Sequence, residues 1–267
     1  MVERLIFEVN FWEAESNMTI YSYSRLKCFQ QCPQKYKFQY IDWIKISQEE
    51  TVELFLGKRV HETLEKLYKD LQFQEKNTLE DLLEFLQYEW RKNWDDSIKI
   101  VNTKISPEDY LSMAMQFITH YYQQYRPFNH EKTIAVEKHI IVDLDGGDEY
   151  KLCCYIDRVA KTDRGWYQIH DYKTCSRLPS TRNIQSDKQL TLYALCLKER
   201  YPYIKNIQLI WHFLRFNMNI VSTLSDREIN ELKQNTINLI DEIESNEQFP
   251  RNQSRLCDWC RFKNICD

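Results

Sequence analysis

Apolar residues recur at helical intervals through the first half of the chain. They fall three or four positions apart in the segments "VELFLGKRVHETLEKLYKDL", "TLEDLLEFLQYEWRKNW" and "PEDYLSMAMQFITHYYQQY", which predicts three amphipathic helices. A related pattern in "YSYSRLKCFQQCPQKYKFQYIDWI" is interrupted by Pro33. We therefore expect two short helices there, with serine residues available as caps.

From residue 133 the pattern changes to the alternation of strands. The segments "TIAVEKHIIVDL", "YKLCCYIDRVAKT" and "GWYQIHDYKT" predict three strands of an antiparallel meander. A helix in "SDKQLTLYALCLKERY", strands in "IKNIQLIWHFLRF" and "MNIVSTL", and a helix capped by Ser225 follow. This order predicts an α/β (α+β) fold in which helices flank a central mixed β-sheet.

We expect one domain over residues 1–267. Its predicted parts are a mainly helical part (20–130), a sheet core (131–224) and a helix with a C-terminal cysteine-rich segment (225–267).

Composition places the chain among globular proteins. Of its 267 residues 43% are hydrophobic and 28% charged, and only 4 are glycine. No apolar run approaches the roughly 20 residues that span a bilayer, and the first residues lack a signal-peptide pattern, so we expect a cytoplasmic protein with no membrane partner. The net charge of -4 argues against a uniformly basic surface but leaves room for a local basic groove.

Three of the nine cysteines form a C-x2-C-x5-C array at the end of the chain: Cys257, Cys260 and Cys266. A fourth thiolate must come from elsewhere, and Cys32 is the best candidate, with Cys28 as the alternative. Four thiolates suit either tetrahedral zinc or an iron–sulfur cluster, and the spacing does not separate the two. With Cys32 as a ligand, the site would join both ends of the chain and contribute directly to folding stability.

The stretch "IHDYKT" places Asp171 and Lys173 on one face of a strand. An isolated pair of this kind is most often a surface ion pair of small energy. Asp157, however, ends the neighbouring predicted strand, so a hairpin could bring two carboxylates together and favour Mg2+ or Mn2+. Lys173 would then orient water or neutralise developing charge, and His61 could add a nitrogen ligand, which suits Mn2+ better than Mg2+.

Six segments occur in an order that resembles a known family: "SYSRLKCFQQCPQKYKF", "GKRVHETLE", "YIDRV", "IHDYKT", "QLTLY" and "CDWCRFKNIC". The chain is similar to the RecB-type branch of the PD-(D/E)xK nucleases, in particular its iron–sulfur subgroup, which includes CRISPR adaptation nucleases and the AddB nuclease domain. The resemblance extends from about residue 20 to the end. It implies a restriction-endonuclease-like core with a helical N-terminal insertion and an iron–sulfur clasp that joins the termini.

The resemblance also assigns roles to individual residues. It implies that His61, Asp157 and Asp171 are the metal ligands and that Lys173 is the catalytic lysine. Gln189 and Tyr193 match the Q-x3-Y motif, which in the family holds substrate and shapes the active site. By the same resemblance, a [4Fe-4S] cluster is bound by four cysteines, which leaves Cys28 as a spare thiol: Cys32, Cys257, Cys260 and Cys266.

The chain departs from the family pattern at three positions. Ile156 replaces the proline of the superfamily's name, as is frequent in this branch, and Tyr155 and Cys154 stand where small residues are common. Glu137 matches a position that is often acidic. A contact with metal or water and a purely structural role are equally compatible with that position.

These features lead us to expect a Mg2+- or Mn2+-dependent deoxyribonuclease that acts on single-stranded DNA ends, with endonuclease activity as a variant. Aromatic residues interleave with basic ones in the two segments that flank the expected cluster, a mixture that is equally compatible with a DNA passage and with an ordinary amphipathic helix. The alternatives are a CRISPR adaptation nuclease that trims DNA before integration, a non-catalytic DNA-binding subunit, and a zinc-bound structural protein. The chain has no G-x4-G-K-[ST] phosphate loop, so unwinding would need a helicase partner, and the CRISPR alternative would need an integrase.

Overall fold

The computed structural model describes residues 19–46, 50–179 and 188–266. Seven α-helices lie in these ranges: α1 (Tyr23–Gln31), α2 (Pro33–Tyr36), α3 (Val52–Gln72), α4 (Leu79–Asn93), α5 (Pro107–Tyr125), α6 (Lys188–Arg200) and α7 (Asp226–Glu244). Six strands accompany them: β1 (Ile20–Ser22), β2 (Lys132–Asp143), β3 (Lys151–Lys161), β4 (Tyr167–Lys173), β5 (Ile207–Phe213) and β6 (Met218–Thr223).

Local sequence explains where most helices begin. The side chains of Thr51, Thr78, Ser106 and Ser225 accept hydrogen bonds from the backbone at the starts of α3, α4, α5 and α7. Pro33 is the first residue of α2, where its missing N–H costs nothing, and this confirms the two short helices predicted around it. The beginning of the helix predicted over 186–201 lies outside the described residues.

The strands form one mixed sheet around β3. β2 pairs antiparallel along the whole of β3, whereas the other edge of β3 is shared by β1, parallel to its beginning, and β4, antiparallel to its end. β4 continues parallel to β5, which pairs antiparallel with β6. The predicted meander and the mixed sheet are confirmed, while the three-residue β1 was not predicted.

Two hydrophobic clusters lie on either side of β4. The first packs the sheet against α1, α6 and α7 and includes Ile169. The second packs α3, α4 and α5 together and includes Tyr172. The two clusters therefore cover opposite faces of β4, and α3 also contacts the sheet along β2 and β3. Within the described ranges, no helix is both long and apolar enough to cross a membrane.

Candidate metal and catalytic site

β3 and β4 separate at the residues that the sequence singled out. Their last paired residues are Arg158 and His170, so the next pair would be Asp157 and Asp171. No ladder bond forms at that pair. Instead, Oδ2 of Asp157 accepts a hydrogen bond of 2.9 Å from the backbone N–H of Tyr172. The carboxylate of Asp157 thus occupies the fork between the two strands.

Three candidate ligands converge on this fork. The ligand atoms of His61, Glu137 and Asp157 all lie within 4.8 Å of one another, and Nδ1 of His61 is 3.5 Å from Oδ2 of Asp157. Two ligand atoms on opposite sides of one divalent ion are separated by twice the metal–ligand distance, which ranges from about 4.2 Å for Mg2+ to about 5 Å for Ca2+. With one nitrogen and two carboxylates, the group is of the right size and chemistry to hold a divalent ion.

The hydrogen bonding of His61 determines which nitrogen faces the group. Its Nε2 lies 2.6 Å from the carbonyl oxygen of Tyr172. Because a carbonyl can only accept, Nε2 must donate, and the lone pair of the neutral ring is then on Nδ1. This is the arrangement in which a metal-binding histidine is oriented through its second nitrogen.

Glu137 reaches the group through an unusual backbone conformation. It lies within β2 with a φ of 47°, in the left-handed region that residues other than glycine rarely adopt and that is often found at functional sites. Burial, the Asp157 carboxylate and Glu65 raise the pKa of Glu137 to about 7, against the opposing charges of His61 and Lys69. A bound cation would remove this repulsion between carboxylates.

Asp171 lies beside this group and is paired with Lys173. The Lys173 ammonium donates to Oδ1 of Asp171 at 3.0 Å and lies 2.7 Å from Oδ2, which accepts no hydrogen bond from the described residues. Asp171 is only 3% exposed. Burial, opposed by Lys173 and reinforced by Asp157, raises the pKa of Asp171 to about 6. The two side chains lie together on one face of the strand, as its alternation predicts, with Asp171 buried and Lys173 partly exposed.

Helix α6 completes the site through the Q-x3-Y residues. Lys173 also donates to Oε1 of Gln189 at 3.0 Å, and Nε2 of Gln189 donates to the hydroxyl of Tyr193 at 2.8 Å. Since Tyr193 receives the amide N–H, the amide carbonyl is directed at Lys173. The chain of bonds holds the ammonium group between α6 and β4.

A buried polar network supports the fork from the opposite face of β4. Arg158, 1% exposed, donates to Glu131 at 2.9 Å, to His170 at 2.9 Å and to the hydroxyl of Tyr172 at 3.1 Å. His170 accepts from the guanidinium, and burial followed by the charge of Arg158 lowers the pKa of His170 well below its ordinary value. The network fixes the side chain of Tyr172, whose backbone C=O and N–H bind His61 and Asp157.

Comparison with known proteins decides the family. The profile described as the PD-(D/E)XK nuclease superfamily matches residues 20–267. The chain belongs to this superfamily. Its members use divalent metal ions, and the group at the fork of the sheet has ligands for one. The restriction-endonuclease-like α/β fold expected from the sequence is confirmed.

One solved structure supports this assignment at the level of the fold alone. A candidate exonuclease from Eubacterium rectale superposes with a TM-score of 0.55 at 13% identity, covering 92% of this chain and 88% of its own. The protein SSO0001 gives a TM-score of 0.37 at 16% identity, with 88% and 93% of the two chains covered. No significant match to a curated protein sequence was found.

Four cysteines line one cavity of about 210 Å³, which lies between residues 31–38 and residues 251–266. They are Cys32, Cys257, Cys260 and Cys266. Backbone N–H groups of Asn252 and Ser254 approach the sulfurs of Cys32 and Cys257 at 3.5 and 3.4 Å. Cys28 does not line the cavity; it is buried and its thiol is 3.9 Å from Oε1 of Gln39.

The predicted site residues form two groups, one at the fork of β3 and β4 and one at the four-cysteine cavity. His61, Asp157, Asp171, Lys173, Gln189 and Tyr193 meet at the fork, and the four predicted cluster cysteines meet at the cavity.

Sequence reasoning missed three residues that shape the fork. Arg158 could have been noticed as a charge in an apolar strand, and Tyr172 by its place between the two residues of Asp-x-Lys. Gly57 could have been noticed as a glycine inside a predicted helix: a Cβ there would lie 3.2 Å from Oγ1 of Thr174, so this position lets α3 approach β4 one turn before His61.

Proposed function

We propose that this protein is a metal-dependent deoxyribonuclease of the RecB type, acting first on single-stranded DNA ends. The observation that carries the proposal is the juxtaposition, at the fork of β3 and β4, of three candidate metal ligands with the Asp171–Lys173 pair. We regard the helical part, the sheet and the C-terminal segment as one nuclease domain. Within it, the helical part contributes His61 and the sheet contributes the carboxylates.

His61 Nδ1, Asp157 and Glu137 would hold the ion. Asp171, predicted as a ligand from the sequence, lies next to them in an ion pair with Lys173, so its Oδ2, 2.7 Å from the ammonium, would have to be shared between the ion and Lys173. A divalent ion held there would supply Lewis-acid chemistry, lowering the pKa of a bound water molecule and polarising the phosphodiester. Nitrogen in the ligand set favours Mn2+ over Mg2+.

Lys173 would act on the phosphate through its positive charge. Asp171 and Gln189 hold the ammonium group from two sides at 3.0 Å, so its position is fixed before substrate arrives. A preorganised cation of this kind stabilises the negative charge that develops on the phosphate oxygens and orients the attacking water. Tyr193 contributes by fixing the amide of Gln189.

We further propose that the four-cysteine cavity holds a [4Fe-4S] cluster with a structural role. The proposal is supported by the four thiols that line one cavity of about 210 Å³, a ligand set that suits either a [4Fe-4S] cluster or zinc. The resemblance of the sequence to the iron–sulfur subgroup favours the cluster. Backbone N–H groups that approach the sulfurs of Cys32 and Cys257 would tune the reduction potential of such a cluster.

The nuclease proposal is tested with linear and circular single-stranded DNA of the same sequence. Anaerobically purified protein is assayed with Mg2+ and with Mn2+, next to Lys173→Ala and the matched control Lys161→Ala, a lysine at the far end of β3. We expect degradation of the linear DNA, lost in Lys173→Ala and retained in Lys161→Ala. Cleavage of both forms, again lost in Lys173→Ala, would identify an endonuclease that uses the same site.

The same assay separates the other functions. Retained DNA binding without cleavage by the wild type would contradict the nuclease proposal and favour a DNA-binding subunit. A CRISPR adaptation nuclease would remove a few nucleotides from a duplex with single-stranded overhangs and stop, whereas a degradative exonuclease would continue.

A further inference from the structure

An aromatic pair lies next to the fork on the strand hairpin. His139 of β2 and Tyr155 of β3 are directly opposite in the register. Their ring centroids are 4.3 Å apart and their planes differ by 12°, so the rings are stacked face to face. Tyr155 is nevertheless 58% exposed. A flat aromatic surface therefore remains accessible on the outside of the sheet.

The pair lies two residues from two candidate metal ligands. Tyr155 precedes Asp157 on β3, and His139 follows Glu137 on β2. The regular alternation of the hairpin is interrupted between them, because Glu137 has a φ of 47° and because Ile156 and Val159 pack in the same hydrophobic cluster. Positions two residues apart on a strand are separated by about 7 Å, so the stacked rings lie next to the metal group along the strands.

Strand pairing leaves this surface at the edge of the fork. β1 pairs with β3 up to Cys153, and β4 pairs with it from Arg158. Tyr155 lies between these two stretches of pairing. A DNA strand that ran along β3 from the metal group would place its neighbouring nucleotide over Tyr155.

An exposed aromatic ring beside a site that accepts a phosphodiester is suited to a nucleotide, because every base has a flat face that can stack on it.

We propose that Tyr155, supported by His139, stacks on the nucleobase adjacent to the scissile phosphate. The inference rests on the proposed nuclease function and specifies how its substrate is held. A base can reach the rings only when it is free of its own stack, so this subsite selects single strands and frayed ends over duplex DNA. Stacking tolerates every base, so it adds little sequence preference.

The test measures stacking and catalysis separately. Linear single-stranded oligonucleotides with 2-aminopurine at successive positions from one end are bound to the Lys173→Ala protein, and the quenching of their fluorescence is recorded. We expect quenching at one main position, lost when Tyr155→Ala is added and retained with Tyr155→Trp. In the otherwise wild-type protein, Tyr155→Ala should raise KM about 5- to 100-fold with a smaller change in kcat.

The control is Tyr203→Ala, a tyrosine of similar exposure (64%) that precedes β5 at the opposite end of the sheet. It should change neither quenching nor KM. Cleavage with unchanged KM and quenching in Tyr155→Ala would overturn the stacking proposal while leaving the nuclease intact. Failure of the wild type to cleave any DNA, by contrast, would overturn the nuclease proposal and this one with it.

Discussion

The carbonyl oxygen of Tyr172 lies 2.6 Å from Nε2 of His61, and the N–H of the same residue donates to Asp157 at 2.9 Å. One residue of β4 thus positions a candidate ligand from helix α3 and another from strand β3. The side chain of Tyr172 is in turn held by Arg158. The geometry of the ligand group depends on the packing of the helical half against the sheet.

His61→Gln separates the two roles of the imidazole. The amide nitrogen of glutamine can take the place of Nε2 and donate to Tyr172, but it offers nothing in place of Nδ1. We expect thermal stability close to that of the wild type and an affinity for Mn2+ at least about tenfold lower, measured by titration calorimetry. Unchanged Mn2+ affinity would exclude His61 as a ligand.

Asp157 can be dissected with two substitutions. Asn keeps an oxygen that accepts from Tyr172 but loses the charge, whereas Ala loses both. Both variants should lose DNA cleavage, while only Asp157→Ala should lose about 1–3 kcal/mol of unfolding free energy relative to Asp157→Asn in urea denaturation without metal. Equal stabilities for the two variants would show that the hydrogen bond at the fork contributes little.

Gly57 is a test of the spacing between α3 and β4. A methyl group at this position would be 3.2 Å from Oγ1 of Thr174, so Gly57→Leu should displace α3 and, with it, His61. We expect cleavage to fall about 10- to 100-fold. A milder loss in Gly57→Ala should be recovered by adding Thr174→Ala, which makes room. Absence of recovery would place the defect elsewhere in α3.

Cys260→Ser should produce a colourless, less soluble protein with weaker DNA binding. A [4Fe-4S] protein is brown and absorbs near about 400 nm, where zinc thiolates do not. Cys28→Ser is the matched control, because its thiol lies close in sequence to Cys32 but outside the cavity, and it should keep the colour. If the anaerobically purified wild type were colourless and contained stoichiometric zinc, the cysteines would bind zinc and the cluster proposal would be wrong.

The buried His212 makes stability dependent on pH. Its ring contacts His170 and the hydroxyl of Tyr125, and burial together with the charge of Arg158 lowers the pKa of His212 to about 3. The unfolded chain therefore binds a proton that the folded protein does not between about pH 6.5 and 3, so stability falls as the pH is lowered through this window.

We expect His212 alone to reduce the free energy of unfolding by about 2 kcal/mol between pH 7.5 and pH 5. Urea denaturation at the two pH values measures the change. His212→Gln, although less stable at neutral pH, should show a smaller decrease between them. An equal decrease in both proteins would assign the acid sensitivity to other groups.

The sequence predicted the features that depend on neighbouring residues, such as strand alternation and helix caps. It could not predict features that depend on pairing between segments far apart in the chain. The pairing of Asp171 with Lys173 followed from strand alternation, and Ser225 as a cap followed from its place before a helical pattern. β1 was missed because its three residues have no periodicity and are stabilised by parallel pairing with a strand about 130 positions away.

Glu137 shows the same limit at the site. Its sequence position was compatible with a metal contact or a structural role, and its place in the ligand group depends on a positive φ within a strand. Residues that enable such a conformation belong to the surrounding fold, so no local pattern indicates it.

The separation of β3 from β4 at Asp157 also sets the regularity of the sheet against the geometry of the ligand group. The backbone N–H of Tyr172 binds Asp157 beyond the point where the ladder ends at Arg158 and His170. A substitution that extended the ladder past this point would compete for that donor. The most regular sheet and the best-positioned carboxylate are therefore two different structures of the same strands.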